Sequence, residues 1–265
     1  MKLKKSFTSI LPATLIALLF FLSIPAARAE TNPTARDLAQ QVFDRDRGFN
    51  SKADAIMVLV SKNGHKRTRT FKNLRMVKDD LETQLIRFTS PADIEGTAFL
   101  TVEQPGWETD QFLYLPALRR TRRIVSSQKA GRFVNSDFTY EDMERHRVDD
   151  YDYTIIGSTT TAGVDCYILQ TIPKPGTASQ YARTTAHIAK AALVPLYAEY
   201  FDAKGKTIKQ YKVLNLEKIQ DIWTETTVMM EDSRKNHQTY IKTQQIEYNT
   251  DIDPSRLSSE TLDEY

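Results

Sequence analysis

The chain has 265 residues, of which 36 are Lys or Arg and 34 are Asp or Glu, so its formal net charge is +2. Residues 1–29 hold four of the basic groups and no acidic group, so the remaining 236 residues carry a net charge of −2. A chain without an overall positive charge is a poor candidate for binding nucleic acid. Cys166 is the only cysteine, so we expect a fold without an internal disulfide, held together by its core.

The N-terminus has the pattern of a secretory signal. Three lysines precede an apolar stretch at residues 10–24, and the triplet Ala27-Arg28-Ala29 has the small residues that signal peptidase requires. We predict cleavage after Ala29, which leaves residues 30–265 as an exported chain. Its length suits one large domain or two small ones, and a single domain is the simpler choice. The alternative is an uncleaved membrane anchor, but the apolar stretch is shorter than the roughly 20 residues that a spanning helix needs.

The first element predicted after this signal is a helix at residues 31–46. Asn32 is the expected cap, Pro33 suits the first helical position, and Gly48 lies just past the last turn. The apolar residues that recur with helical spacing are Ala35, Leu38, Ala39, Val42 and Phe43.

Strands are predicted over most of the remaining chain, and many are rich in Val, Ile, Thr, Tyr and Phe. Turn sequences such as Asn63-Gly64 and residues 202–205 are typical of hairpins. Short connections favour an antiparallel sheet, and a sheet this wide tends to curl. The predicted strands span residues 55–61, 68–77, 83–89, 99–103, 111–115, 151–157, 164–172, 180–190, 196–201, 207–214, 222–231 and 239–248.

The strand predicted at residues 180–190 indicates what kind of faces the sheet has. Alternation along a strand places successive side chains on opposite sides. We expect a solvated side and a side of small apolar groups. The solvated side holds Tyr181, Arg183, Thr185 and His187, and the other side holds Ala182, Thr184, Ala186 and Ile188.

The strand pattern is interrupted between residues 116 and 150, where we predict a loop and a short helix lying across the sheet. Thr139 and Asp142 have the spacing of a capping box, and Phe138, Tyr140 and Met143 are its expected apolar contacts. A further short helix is predicted at residues 254–262, with Asp253 at its start.

The interrupted segment begins with a cluster of arginines that allows two interpretations. The arginines can pair with the acidic run at residues 137–144, in a surface network that contributes little to stability. Outside the cytoplasm they can instead bind an anion, which there means lipid phosphate or an acidic protein surface. The cluster, called the arginine cluster below, consists of Arg119, Arg120, Arg122 and Arg123.

Sequence motifs for catalysis or metal binding are absent. The histidines, at positions 65, 146, 187 and 237, lack the paired spacing of a zinc site, and there is neither a G-x-S-x-G motif nor a glycine-rich phosphate loop. We therefore expect no cofactor and no metal. The best catalytic candidate is the set of carboxylates near His146, which could act as acid and base if several of them lined one cleft. The plainer interpretation is a solvated helix face with ion-pair partners.

Several stretches, in order along the chain, resemble a known family. They are "FTSPADIEGTAFLTVE", "DQFLYLPALRRTRRI", "GRFVNSDFTYEDM", "YDYTIIG" and "LVPLYAEYFDAKGKTIKQ". The chain resembles the LolA-like family of outer-membrane lipoprotein-sorting proteins, and more closely the larger branch of that family, which is often found beside efflux-type transporters. The resemblance extends from Phe88 to Tyr248, and the stretch around the arginine cluster is its most specific part.

This resemblance implies a mainly β protein of the α+β class. A strongly curved antiparallel sheet would form an unclosed barrel, with helices over its concave face and an apolar cavity for acyl chains. The implied function is that of a non-catalytic periplasmic carrier for a lipid or a lipoprotein acyl chain. The implied partners are this cargo and an inner-membrane efflux-type transporter. The alternative is an envelope sensor or adaptor that recruits a transporter or another membrane partner.

We expect the cavity to be lined by strands and by the interrupted segment, with residues 116–143 as a lid. The arginine cluster would then contact a lipid head group or the transporter. The candidate cavity or lid residues are Phe99, Phe112, Tyr114, Leu115, Phe133, Phe138, Tyr140 and Met143.

Overall fold

The computed structural model describes residues 33–106 and 109–264. The predicted signal peptide, residues 1–29, lies outside this part of the chain. Within the described residues the secondary structure is one α-helix, thirteen strands and several short 3-10 turns. The fold is therefore mainly β, as the sequence predicts.

Helix α1 (Ala35–Phe43) is shorter than the helix predicted at residues 31–46. Its N-cap is Thr34 and not the expected Asn32, because the Thr34 hydroxyl accepts a hydrogen bond of 3.1 Å from the Asp37 amide. The predicted apolar stripe faces the sheet, and Leu38 is fully buried there.

All thirteen strands belong to one sheet, and each pairs antiparallel with its neighbours. The strands are β1 Asn50–Val60, β2 Lys66–Lys78, β3 Leu81–Ser90, β4 Ala98–Val102, β5 Asp110–Leu115, β6 Arg120–Arg123, β7 Tyr151–Thr161, β8 Val164–Pro173, β9 Arg183–Ala189, β10 Pro195–Phe201, β11 Thr207–Ile219, β12 Ile222–Asp232 and β13 His237–Tyr248.

The strand order is β6-β5-β4-β3-β2-β1-β13-β12-β11-β10-β9-β8-β7. Strands β1 and β13 pair at the centre, although they come from opposite ends of the described chain. The edge strands β6 and β7 each pair on one side only, among the described residues. The barrel is therefore unclosed, which confirms the predicted architecture.

Strand β6 (Arg120–Arg123) corrects the prediction that strands are interrupted from residue 116 onward. It has no buried residue, and within the described part of the chain it pairs only with β5. A four-residue edge strand without a buried face gives no alternation from which a sequence pattern could be recognised. A short, charged strand at an edge also protects the sheet from pairing with another chain.

The segment that joins the two edge strands, residues 124–150, is called the strap below. Its short elements are 3-10 turns, so one α-helix and these turns cover the sheet, rather than several α-helices. The predicted capping box is present, because the Thr139 amide donates to the Asp142 carboxylate (2.7 Å) and the Asp142 amide donates to the Thr139 hydroxyl (3.4 Å). The turns are Ser126–Gln128, Phe133–Asn135, Glu141–Met143 and Val148–Asp150.

The sheet has apolar layers on both faces. The inner face carries α1 and the strap, and at β1–β5 it is filled by an inner aromatic cluster in which the Phe99 and Phe133 rings lie 5.0 Å apart. The outer face of the same strands is covered by the C-terminal tail, whose 3-10 turn Pro254–Leu257 is capped by Asp253 as predicted, although it ends before residue 262. The members of the inner aromatic cluster are Phe71, Phe88, Phe99, Phe133 and Tyr140.

Candidate functional site

An apolar cavity of about 560 Å³ lies between helix α1, the strap and the inner face of the sheet from β7 to β13. This volume falls within the range of about 300–1,000 Å³ that is usual for small-molecule sites. Most of the lining side chains are aliphatic or aromatic. They include Val42, Phe43, Phe138, Met143, Val148, Tyr153, Leu169, Ile188, Tyr200, Tyr211, Val228, Met230 and Ile241.

Small side chains explain why this half of the inner face is not filled. Ala186 on β9 and Ala198 on β10 are direct cross-strand partners, and both line the cavity. Two methyl groups opposite each other occupy little of the space above the sheet, whereas β1–β5 fill theirs with aromatic rings. The side of small apolar groups predicted for this strand is confirmed at Thr184, Ala186 and Ile188, which face the cavity. The other side is not solvated throughout, since Thr185 is only 8% exposed.

Tyr181 departs from that prediction, because it lines the cavity although it was assigned to the solvated side. Strand β9 begins at Arg183, so the alternation does not extend back to Tyr181. Tyr181 is only 4% exposed, and its hydroxyl donates to the Asp142 carboxylate at 2.7 Å. Burial, together with Asp142, raises the pKa of Tyr181 far above its usual value, so the hydroxyl keeps its proton.

A buried ion pair holds the strap to the sheet beside this tyrosine. The ammonium group of Lys209, on β11, lies 2.6 Å from the Asp142 carboxylate and also donates to the Tyr181 hydroxyl at 2.7 Å. The side chains of Lys209 and Asp142 are 1% and 4% exposed. Asp142 thus caps a turn of the strap and anchors that turn across the barrel interior.

Of the carboxylates near His146, three line the cavity, which was the condition set for a catalytic interpretation, and the fourth, Asp137, does not. Each of them has a protein partner: Asp142 pairs with Lys209, Glu144 pairs with Lys129 at 2.7 Å, and Glu141 accepts hydrogen bonds from the Ser179 hydroxyl and the Gln180 amide. These contacts stabilise the strap. His146, whose Nδ1 lies 3.1 Å from the Tyr151 hydroxyl, has no contact with them among the hydrogen bonds of the described residues.

Three arginines also border the cavity, and each is paired with a glutamate. The Arg145 guanidinium lies 3.9 Å from the centre of the Phe43 ring and donates to the Phe43 carbonyl, so it holds the end of α1. Burial lowers the pKa of Arg47 to about 10, and Glu82 opposes this shift. The pairs are Arg45 with Glu225, Arg47 with Glu82, and Arg145 with Glu103.

The structure separates the predicted cavity residues into three groups. Phe138 and Met143 line the cavity. Phe99, Phe133 and Tyr140 belong to the inner aromatic cluster, and Leu115 packs against it. Phe112 and Tyr114 pack on the outer face, against the C-terminal tail.

The arginine cluster is exposed and lies at the edge of the sheet. Arg123 pairs with Asp110, and among the described residues the other three members form no ion pair. The acidic run that was their alternative partner is engaged elsewhere, since Asp137 contacts Arg132 and His237, and Asp142 contacts Lys209. The interpretation that the cluster neutralises this acidic run is therefore wrong.

Sequence reasoning missed a second cationic group, which lies on the inner face of β2 and is described below. Among the described residues there is no group of three or more His, Cys, Asp or Glu side chains that could hold a metal ion. In the same part of the chain, no helix is long and apolar enough to cross a membrane.

An unclosed antiparallel sheet with a strap between its edge strands and an apolar cavity beneath α1 has the fold of the LolA superfamily. A LolA superfamily protein from Nitrosomonas europaea superposes with a TM-score of 0.67 at 15% identity, covering 86% of this chain and 98% of that one. At this identity the likeness concerns the fold alone.

Two further comparisons show the family. A family model described as that of an uncharacterized protein matches residues 80–264. A DUF1329 family protein from Desulfovibrio piger is 33% identical, with a TM-score of 0.82 over 88% of this chain and 100% of that one. The chain belongs to the DUF1329 family.

A domain described as an outer membrane lipoprotein-sorting protein, from Vibrio parahaemolyticus, is also similar. It is 29% identical and has a TM-score of 0.81 over 86% of this chain and 98% of that one. Among curated proteins no match was found. The resemblance inferred from the sequence is thereby confirmed at the level of family and fold.

Proposed function

We propose that this protein is a non-catalytic carrier of the cell envelope that holds the acyl chain of a lipid or lipoprotein in its apolar cavity. The observation that carries the proposal is the 560 Å³ cavity, which the Ala186–Ala198 pair leaves open beneath α1. The similarity to a domain that is described as an outer membrane lipoprotein-sorting protein supports it. A periplasmic location, with residues 1–29 as a cleaved signal, belongs to the same proposal.

The cavity can supply enough free energy to keep such a cargo in solution. An acyl chain of ~16 carbons transferred out of water gains roughly 13 kcal/mol, at about 0.8 kcal/mol per CH₂. A cargo bound with all of this free energy would dissociate slowly, so a carrier needs a way to open its cavity.

The strap and helix α1 are held by contacts of different strength, so opening the cavity at one requires more free energy than opening it at the other. A lid at residues 116–143 would have to separate the buried pair of Asp142 and Lys209, whose side chains are 4% and 1% exposed. Helix α1 is joined to the strap by Arg36 and Asp149, whose side chains are 59% and 69% exposed, and by the Arg145 guanidinium, which donates to the Phe43 carbonyl and lies over the Phe43 ring. Neither contact is a buried ion pair. Exposed pairs contribute little. We therefore expect cargo to enter beside α1.

Hydrogen exchange with and without a fatty acid tests this entry route. We expect the protection of amides in Ala35–Phe43 to change on binding, while that of Glu141–Met143 stays constant. A change confined to Glu141–Met143 would instead support the lid at residues 116–143.

The carrier function is tested by purifying the mature protein from the periplasm without detergent and analysing its organic extract by mass spectrometry. We expect an acyl-bearing species in stoichiometric amount, and uptake of a fluorescent fatty acid by the emptied protein. Ala186→Leu narrows the cavity at the Ala186–Ala198 pair and should weaken uptake. Ala182→Leu adds the same volume at an exposed position and is the matched control.

An empty protein that takes up no fatty acid would refute the carrier and favour the adaptor. The exposed arginine cluster is the observation that supports an adaptor, because three of its guanidinium groups lack a carboxylate partner among the described residues. Replacing the four arginines with Gln should weaken binding to a membrane or protein partner without changing the melting temperature. If partner binding is unchanged, the arginine cluster contributes neither to a carrier function nor to an adaptor function.

A further inference from the structure

A second cavity, of about 450 Å³, lies where β1, β2 and β13 meet the strap, and its lining is cationic. We call it the basic pocket. Leu59 contributes apolar surface, and the other lining groups are polar or charged. The side chains that concern us are Arg67, Arg69, Arg132 and His237.

Alternation along β2 explains how two arginines come to line a pocket on the inner face. Arg67, Arg69 and Phe71 are successive residues on one side of the strand, and they stand opposite Leu59, Met57 and Ala55 of β1. Phe71 and these three residues of β1 belong to the buried inner layer. The stretch "RTRTF" thus continues an apolar inner row with two guanidinium groups. The two arginines at alternate positions of β2 were therefore a signal for this pocket in the sequence, which the strand prediction alone did not use.

The basic pocket has more positive than negative charge. Asp137 is the only carboxylate, among the described residues, that forms an ion pair with a group lining it, and it is shared between Arg132 (3.3 Å) and His237 (2.6 Å). Arg69 is 5% exposed and forms no ion pair with any residue that the structure describes; it donates to the Val134 carbonyl. Three guanidinium groups therefore line the pocket with one carboxylate, Asp137, in ion-pair contact, and a second, Asp93, acts on Arg69 without forming an ion pair.

Burial without a carboxylate partner is unfavourable for Arg69. It lowers the pKa of the guanidinium, and the nearby Asp93 only partly opposes the shift. A buried cation is normally paired, because the desolvation of an unpaired charge costs several kcal/mol. An anion entering the basic pocket would supply the missing partner.

The strap adopts an unusual backbone conformation at the rim of this pocket. Val134 and Asn135 both have positive φ values, 45° and 60°, and Val134 is β-branched. Such conformations persist only where the surrounding structure fixes them, and they are frequent at binding sites. Here the conformation directs the Val134 carbonyl toward Arg69 and brings Asn135 into the lining of the pocket.

Strand β13 shows how the basic pocket is placed relative to the apolar cavity. Three successive residues of one face have different surroundings: His237 lines the basic pocket, Thr239 donates to Asp137, and Ile241 lines the apolar cavity. Four residues of strand span roughly 13 Å. The two cavities thus lie side by side, with the Asp137 contacts between them.

We propose that the basic pocket is a binding site for a phosphate group, held by the guanidinium groups of Arg67, Arg69 and Arg132. Guanidinium groups donate paired hydrogen bonds to phosphate oxygens, and a dianion would balance the excess charge of the pocket. The phosphate could belong to a lipid head group or be free in solution. The site does not depend on the acyl-chain proposal.

The test measures binding by titration calorimetry with two probes, inorganic phosphate and dihexanoyl phosphatidic acid. Arg67 is exposed and lies at the end of its strand, so Arg67→Gln should fold normally. Removing one charge-assisted contact should weaken binding of both probes about tenfold or more. Lys66→Gln removes the same charge from the neighbouring exposed position, on the other side of β2, and should change binding less than about twofold.

The two probes distinguish the source of the phosphate. Tighter binding of phosphatidic acid than of phosphate, with both weakened by Arg67→Gln, would assign the site to a lipid head group. Equal binding would assign it to the phosphate group alone. The proposal is overturned if neither probe binds saturably, or if Lys66→Gln weakens binding as much as Arg67→Gln does. Fatty-acid uptake by Arg67→Gln, which should remain normal, reports separately on the apolar cavity.

Discussion

The buried pair between Lys209 and Asp142 gives the sharpest test of how the strap is held. Lys209→Met removes the ammonium group but leaves the Asp142 carboxylate buried, with only the hydrogen bonds from Tyr181 and Thr139 as partners. Leaving one member of a buried pair without its counter-charge costs about 3–5 kcal/mol. With an m-value of about 2–3 kcal/mol per M, the urea midpoint should fall by roughly 1–2 M.

A double-mutant cycle isolates the interaction between the two charges. Asp142→Asn keeps one acceptor oxygen, which serves either the Tyr181 hydroxyl or the Thr139 donors, and removes the negative charge, so alone it leaves the Lys209 ammonium group without a counter-charge. In the double variant neither charge remains, and we expect it to be more stable than the sum of the single effects predicts, by about 1–3 kcal/mol. Urea unfolding followed by circular dichroism measures all four proteins.

Lys206→Met is the matched control, because Lys206 is an exposed lysine in the turn before β11. Its unfolding free energy should change by less than about 0.5 kcal/mol. Strictly additive effects of the two single substitutions, or a Lys209→Met variant as stable as Lys206→Met, would refute the reasoning that this pair anchors the strap.

Two further predictions concern the core and the pH dependence. Phe133→Ala should lower the free energy of unfolding by about 3–5 kcal/mol, because Phe133 is fully buried among the rings of the inner aromatic cluster. A melting temperature equal to that of the unmodified protein would contradict this. Burial raises the pKa of the Tyr181 hydroxyl in the folded protein. Below pH ~10 the tyrosine is protonated in both the folded and the unfolded state, so its contribution to the free energy of unfolding is complete. Above pH ~10 the unfolded tyrosine loses its proton, and this contribution falls by about 1.4 kcal/mol per pH unit. Tyr181→Phe should therefore show a shallower loss of unfolding free energy between pH 10 and 11, whereas an equal slope would show that Tyr181 ionises normally in the fold.

Local patterns predicted most of the secondary structure. Alternation and turn residues located twelve of the thirteen strands, and the capping box at Thr139 and Asp142 was identified from its spacing. These features depend on contacts within a few residues, so the sequence displays them directly. Strand β6 was not predicted, because an edge strand without a buried face has no alternation of apolar and polar residues.

The candidate site was predictable only in part. Alternation assigned Ala186 to the apolar side of β9, but it cannot show that Ala198 is its cross-strand partner, because that pairing depends on the register between two strands. Phe133 and Phe138 looked equivalent in the sequence. One is packed among aromatic rings and the other borders the cavity, and only the path of the strap over the sheet separates them.

The sequence by itself determined the antiparallel sheet, the early helix, the interrupted middle segment and the family. The tertiary structure decided which inner-facing residues enclose a space, and which charges meet. Asp142 and Lys209 are 67 positions apart, and Asp137 and Thr239 are 102 apart. The periodicity of a strand fixes the side on which a residue lies, but the layer that covers it is set by contacts between distant parts of the chain.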